Sequence, residues 1–236
     1  MTPFALPAGY SRIQRVGSFE ELIQTPFKDG CNALCWPRIL PGDFSEVVAR
    51  LAEGEGIENL DEGLLRSLPL SPAGWEAIGV MIADQGLLRE HGLDPLLDCI
   101  RAYPMEEEPG AVRTDVYSFH VDSATGEADT WLCTYYGPSS EGLRNDEAQR
   151  RVDLPEIRAA LLKEYAGPDD GGFAGFLREH CYDLHYAPLP LARPFAFGLG
   201  NLWRIAVEYP GCPGPPCIHR APPNLPGQPP RLLLIS

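Results

Sequence analysis

Basic charge is scarce in this chain. Nineteen Lys and Arg stand against 33 Asp and Glu, a formal net charge of −14. A surface of that sign repels phosphate backbones and anionic bilayers, so neither nucleic acid nor a membrane is an expected partner. Long apolar runs are missing too; none approaches the roughly 20 residues needed to cross a bilayer. The opening stretch Met1-Thr2-Pro3-Phe4-Ala5-Leu6-Pro7 has no basic segment followed by an apolar one. The expected location is therefore the cytoplasm. Zinc-module spacing is also lacking. The seven cysteines are odd in number, and Cys31, Cys35, Cys212 and Cys217 form no C-x2-C pair. Free thiols are expected, buried at Cys99, Cys133 and Cys181. Cys212 or Cys217, just ahead of His219, is an alternative lining group for a metal pocket. No internal repeat is visible.

What is present fits a soluble globular protein: 236 residues, of which 44% are hydrophobic. The front of the chain reads as helical. Phe44, Val47, Val48 and Leu51 share a helical face behind Asp43 or Ser45 as a start signal. A second helix is predicted from Pro72 to about Leu88, with Trp75, Ile78, Met81 and Ile82, and Pro72 suits its first turn. A third is predicted over Leu93–Tyr103, with Leu96, Leu97 and Ile100 on one side. His91, before Gly92, fits a helix-end cap. Glu106-Glu107-Glu108 followed by Pro109-Gly110 reads as a solvated loop.

Behind residue 110 the pattern changes to β-branched and aromatic runs. Thr114–Val121 and Ala128–Tyr136, separated by Ser123-Ala124-Thr125-Gly126, read as a hairpin. A polar insertion of about residues 139–190 is expected to carry helices at Leu154–Tyr165 and Phe173–Cys181. Strands are predicted at Phe195–Phe197, Leu202–Tyr209, Cys217–His219 and Arg231–Ile235, with a stiff loop at Pro210–Pro216. This order suggests α+β architecture in one domain over 1–236. A mainly helical part, 1–110, would pack on a double-stranded β-helix, a jelly-roll or cupin-like barrel, over 111–236.

The chemistry-bearing residues are His120, Asp122 and His219. Strand alternation points His120 and Asp122 to one face, as chelation by an H-x-D pair requires. Two imidazoles and a carboxylate are the facial set that holds non-haem Fe(II) and leaves metal positions open. The bland reading is a structural His–carboxylate hydrogen bond, with the remaining histidines as satisfied core or surface groups. His180 and His185 are read as structural or surface residues. Alternation groups Trp131, Cys133 and Tyr135 on one face and Thr134 with Tyr136 on the other. One set is expected to line the barrel, so Trp131 and Tyr136 become candidate substrate contacts and Tyr135 a candidate co-substrate contact. Arg204, beside Trp203, is a candidate for a substrate carboxylate.

The order H-x-D, late His, then Arg231 on the closing strand resembles the Fe(II)/2-oxoglutarate-dependent dioxygenase superfamily. The blocks Phe119-His120-Val121-Asp122, Thr134-Tyr135-Tyr136-Gly137-Pro138-Ser139-Ser140-Glu141 and His219-Arg220-Ala221-Pro222-Pro223 are similar to a bacterial family of uncharacterised function. That family carries FHxD, TYxGPGTEWL and HRSPP blocks, and Cys35-Trp36-Pro37-Arg38 resembles its front end. Here Ser140 stands in place of Thr, Gly142-Leu143 in place of Trp-Leu, and Leu233 where many 2-oxoglutarate enzymes have Ser. The resemblance implies Fe(II), O2 and 2-oxoglutarate as cofactors, with Arg231 holding the far carboxylate of 2-oxoglutarate and Arg220 as its competitor. It implies C–H oxidation of a small molecule, such as an amino acid, with release of succinate and CO2. Two alternatives stand beside it: a cupin-like dioxygenase or isomerase without 2-oxoglutarate, and a barrel that binds a ligand without catalysis. The sequence leaves the oligomeric state open.

Overall fold

A computed structural model describes residues 5–51, 53–105, 110–223, 225 and 227–236. The acidic stretch Glu106–Pro109 lies outside the described residues. The chain forms strands β1 (Ile13–Arg15), β2 (Ala33–Trp36), β3 (Ile57–Asn59), β4 (Leu96–Ile100), β5 (Phe119–His120), β6 (Asp129–Tyr136) and β7 (Glu141–Leu143). It continues with β8 (Ala148–Arg150), β9 (His185–Pro188), β10 (Phe195–Ala196), β11 (Leu202–Ala206), β12 (Ile218–Arg220) and β13 (Arg231–Ile235). Helices are α1 (Phe19–Gln24), α2 (Phe44–Arg50), α3 (Glu62–Ser67), α4 (Pro72–Glu90), α5 (Pro155–Tyr165) and α6 (Gly171–Glu179). The class is α+β, with two mainly antiparallel sheets in a sandwich-like arrangement. The first runs β1-β2-β11-β6-β13-β4-β3 and the second β10-β7-β12-β5-β9-β8. Among the named strands of the described residues, β1 and β2 pair in parallel and the other pairs are antiparallel.

Strand alternation gives the first sheet two different faces. Trp131, Cys133 and Tyr135 of β6 and Leu232 and Leu234 of β13 pack with Leu22, Val47, Leu65 and Met81 of the helices. The other face carries Leu132, Trp203, Ile205 and Leu233, which pack with Phe197 and Cys217 from the second sheet's side. The second sheet turns Phe119, Leu143 and Ile218 to its far face. That parity leaves His120 and His219 between the sheets.

The helices begin where their caps dictate. Asp43 accepts from the N–H groups of Ser45 and Glu46 ahead of α2, and Ser71 accepts from Gly74 N–H ahead of α4. His91 closes α4, with Nδ1 2.9 Å from the Leu87 carbonyl. Under the helical layer, Arg38 makes a two-pronged ion pair with Asp84 at 2.7 and 2.8 Å, and Tyr135 donates to the same carboxylate at 2.7 Å. Arg38 also lies over Trp36, 4.8 Å from the ring centre.

Four expectations need correction. Leu93–Tyr103 contains no helix: Gly92, in the left-handed region, ends α4, and Leu96–Ile100 becomes a strand between β13 and β3. A short apolar run has no decisive period, and pairing with the C-terminal strand settles it. The front part, expected to be mainly helical, also supplies strands: β1 to β4 all join the first sheet. The hairpin is absent: β5 belongs to the second sheet and β6 to the first, so 121–128 is a crossing between sheets. The stretch 139–190 is not a helical insertion alone. It supplies β7, β8 and β9, three strands of the second sheet, whose polar and glycine residues carry little strand propensity.

Replacement of Asp84 by Ala would leave Arg38 charged and buried without its partner. A loss of about 3–5 kcal/mol is expected from urea unfolding. Tyr135→Phe should cost about 1.5–3 kcal/mol, one hydrogen bond to a charged acceptor, and leave metal binding unchanged.

Candidate metal centre

Three side chains converge between the sheets. His219 on β12 faces His120 on β5 in antiparallel register, so both side chains project to the same side. Their ring centres are 4.7 Å apart. Asp122 follows β5 and points the same way. One ligand atom from each of the three lies within 4.8 Å of the others. His120 Nε2 is 3.8 Å from Asp122 Oδ1, and His219 Nε2 is 3.6 Å from Asp122 Oδ2.

Backbone carbonyls fix how the rings present themselves. His120 Nδ1 lies 2.7 Å from the Ser118 carbonyl, and His219 Nδ1 lies 3.3 Å from that of Cys217. A carbonyl can only accept, so each Nδ1 carries a proton, and in a neutral ring Nε2 keeps its lone pair on the side of Asp122. Hydrogen bonds from Nδ1 to a backbone carbonyl are what orient histidine ligands in metal sites. Asp122 is oriented in turn by Thr130 of β6, whose hydroxyl donates to Oδ2 at 2.5 Å. Adjacent ligands held at about 2.1 Å from one ion are about 3 Å apart. The present spacing closes to that with shifts of under about 1 Å, so the donor set fits a divalent cation bound through two nitrogens and one oxygen.

Burial, aided by the neighbouring His219, pulls His120 down to about 4. Burial pushes Asp122 up, but His219, the Thr130 hydroxyl and His120 outweigh it and hold the carboxyl below its ordinary value. At neutral pH the site therefore offers a neutral His120 imidazole and a carboxylate, the forms that bind metal. Cys217, two residues before His219, is buried, and burial, helped by the Asp122 charge, pushes its thiol up. It stands near the triad as a thiol, outside the ligand cluster. Cys212 lies on the Pro/Gly loop, and all seven cysteines are free.

Arg231 of β13 is 5% exposed. It donates to the Tyr103 hydroxyl at 3.0 Å and to Ser140 Oγ at 2.9 Å, while its Nε has no partner. Among the described residues no carboxylate pairs with it, and burial pulls its pKa down. Gly137 lets β13 come this close: a Cβ there would sit 2.4 Å from the Pro230 carbonyl. Ser140 lies two residues before Gly142, the register partner of His219. The guanidinium is thus anchored about 7 Å along the second sheet from the level of His219. An open surface pocket is lined by Arg231, Tyr103, Tyr117 and Pro138, and by none of the three triad residues.

The other candidates lie elsewhere. Arg220 pairs with Glu141 at 2.6 Å and covers Phe119, on the face opposite His219. Tyr135 is held by Asp84 in the helical layer, and Trp131 and Tyr136 pack in the same cluster. Arg204 donates to Asp129 and to the carbonyls of Leu22, Ile23 and Thr25, closing the end of α1. None of these five reaches the triad: β6 turns Trp131, Cys133 and Tyr135 to the helices, an irregularity in its pairing with β13 brings Tyr136 opposite Leu232 on that same side, Arg204 shares it, and Arg220 lies on the far face of the second sheet. His180 is an exposed cap of α6. His185, read as structural or surface, is buried beside His120, 5.6 Å between ring centres. Sequence reasoning missed Thr130, Ser118, Ser140 and Tyr103. Only Ser118 carries a local signal, two positions before His120. Gly142, where the similar family carries Trp, has its side-chain space filled by Phe195 of β10, 2.2 Å from where a Cβ would stand.

Comparison with protein-family models, with curated proteins and with solved structures finds no match. Among the described residues no helix is long and apolar enough to cross a membrane.

Burial also lowers His185 to about 4, as it does His120. In the unfolded chain each titrates near 6.5, so below that pH the unfolded state binds protons that the folded state refuses. Stability of the chelator-treated protein should fall as pH drops from about 6.5 toward 4, by up to roughly 3 kcal/mol per histidine. Urea midpoints across that range measure it, and His185→Gln should remove about half of the slope.

Proposed function

We propose that the protein is a non-haem Fe(II)- and 2-oxoglutarate-dependent oxygenase that oxidises a C–H bond of a small molecule. In this reading the two sheets are the halves of a double-stranded β-helix, and the chain belongs with the dioxygenase superfamily that its H-x-D, late His and closing Arg resemble. It works in the cytoplasm, in keeping with its free thiols. The observation that carries the reading is a pair: a His-His-Asp cluster with both Nδ1 atoms tied back, and a buried arginine without a counter-ion anchored on the same sheet.

His120 and His219 would hold the ion through Nε2, and Asp122 through a carboxylate oxygen that Thr130 orients. When bound, Fe(II) supplies oxygen activation and the oxidising power for C–H cleavage, which protein side chains lack. Arg231 binds the far carboxylate of 2-oxoglutarate. A buried, uncompensated guanidinium is costly, and a bidentate carboxylate removes that cost while fixing one end of the co-substrate. Tyr103 and Ser140 hold the guanidinium by accepting from it, so it is set in place before the anion arrives. The low local dielectric strengthens that pair. Phe195 covers the strand beside His219 and keeps water from that side of the ion.

Each part has its own test. Anaerobic titration should give one tightly bound Fe(II) or Co(II) per chain, and Asp122→Ala or His219→Ala should abolish it. Arg231→Gln should keep the metal but weaken 2-oxoglutarate about 10- to 100-fold, the worth of a charge-assisted pair. Oxygen-dependent release of succinate from 2-oxoglutarate checks the reaction class. A metal-loaded protein that forms no succinate with any of a panel of small-molecule amino acids, and whose 2-oxoglutarate affinity is equal in wild type and Arg231→Gln, would sink the reading.

A further inference from the structure

The strand that carries His219 is held at its entrance by side chains. β12 has three residues and leaves the loop Pro210–Pro216, in which Pro213, Pro215 and Pro216 have no N–H to donate. Its register against β7 pairs His219 with Gly142 and Ile218 with Leu143. Continued by two residues, that register puts Asn145 opposite Pro216. The backbone ladder cannot continue in full there, because Pro216 lacks the donor and the chain at Asn145 enters the 3-10 turn Asn145–Glu147. A side chain takes over: Asn145 Nδ2 donates to the Pro216 carbonyl at 3.0 Å. Asn32 Nδ2 donates to the same carbonyl, also at 3.0 Å.

Both amides are themselves fixed. Asn145 Oδ1 accepts from Asn32 Nδ2 at 2.8 Å and from the Tyr10 hydroxyl at 2.7 Å, and the Tyr10 oxygen accepts from Asn145 N–H at 3.1 Å. Asn32 is 1% exposed, and its Oδ1 is buried without a partner. Packing does not account for such a residue, since an apolar side chain of similar size would avoid the unmet acceptor. Its amide places two donors, one on Asn145 and one on Pro216. Its backbone acts in the same region: the Asn32 carbonyl accepts from Ala206 N–H at 2.9 Å, and the Ala206 carbonyl accepts from Cys217 N–H at 2.9 Å. The peptide that joins Pro216 to Cys217 is therefore held at its oxygen by two side-chain amides and at its nitrogen by β11. One residue further on, the Cys217 carbonyl meets His219 Nδ1 at 3.3 Å.

We infer that Asn145 and Asn32 are positioning residues for the metal centre: by clamping the Pro216–Cys217 peptide they set the register of β12 and the direction of the His219 lone pair. A slip by one residue at this entrance would turn His219 to the far face and bring Arg220 inward. A smaller rotation of the peptide would draw the Cys217 carbonyl away from Nδ1 and loosen the ring, as loss of such outer partners does in metal sites generally. The inference rests on the reading of His120, Asp122 and His219 as metal ligands and is independent of the co-substrate.

The test is Co(II) titration of the full chain, wild type against Asn145→Asp. That change keeps the size of the side chain and an oxygen toward Tyr10 and Asn32, and it removes the donor to Pro216. Co(II) affinity should fall about 10- to 100-fold. In proton NMR the Co(II)-loaded wild type should show two exchangeable, hyperfine-shifted N–H signals, one per histidine ligand. In Asn145→Asp one of the two should exchange faster with solvent and the other should keep its rate. Asn145→Ala, which adds no charge, should act in the same direction and reports if the new carboxylate prevents folding. Tyr135→Phe, which loosens the helical layer away from β12, controls for lost stability and should bind Co(II) as the wild type does. Co(II) affinity and N–H exchange that stay unchanged in the Asn145 variants overturn this inference and leave the metal reading intact. An equal loss of affinity in Tyr135→Phe does the same. A wild-type chain that takes up no Co(II) overturns both.

Discussion

Residues that face each other across antiparallel strands send their side chains to the same side, and His219 faces His120 in that way. This one pairing brings together two imidazoles separated by 99 positions of chain. It also selects what else can approach. The register that pairs His219 with Gly142 pairs Arg220 with Glu141 and turns both toward the far face. A slip by one residue would bury Arg220 between the sheets and expel His219. The carbonyls of Ser118 and Cys217 then set each ring's tautomer, so strand pairing determines the direction of the lone pairs as well as the placement of the ligands.

The rest of the structure holds that register. Phe119, Leu143 and Ile218 form an apolar layer behind the histidines. In front, β6 supplies Thr130 to Asp122 while its alternate residues build the helical contact. The helical layer is held from inside by the Arg38–Asp84–Tyr135 group, which meets its charge and hydrogen-bond needs internally. A buried pair of this kind adds specificity of packing more than net stability. Arg204 does comparable work at the end of α1.

Three buried or half-buried arginines of this acidic chain illustrate two uses of one side chain. Arg38 has a carboxylate and is structural. Among the described residues Arg231 and Arg151 have none, and Nε of each is unsatisfied. In the oxygenase reading proposed above, a ligand carboxylate at Arg231 would relieve a desolvation cost that folding has left unmet.

Much of this molecule was legible in the order of its residues. The clustering of His120 and Asp122 was readable because H-x-D on a strand has a fixed geometry, and the helices α2, α4, α5 and α6 were readable from caps and period. The closing strand Arg231–Ile235 was readable because a β-branched or aliphatic run after a Pro-rich loop has few other uses. Strand membership was not readable. Leu96–Ile100 is a strand because it lies between β13 and β3, and β7 to β9 are strands because short polar segments found partners. Those are nonlocal bonds, invisible to local propensity. For the same reason sequence alone put Tyr135, Trp131, Tyr136 and Arg204 among the candidates, and only the tertiary structure turned them to the helices. Parity along one strand is a local property; which face meets the second sheet is decided by packing. His185 was read as structural or surface for that reason, and its place beside His120 comes from a register that only the folded sheet possesses.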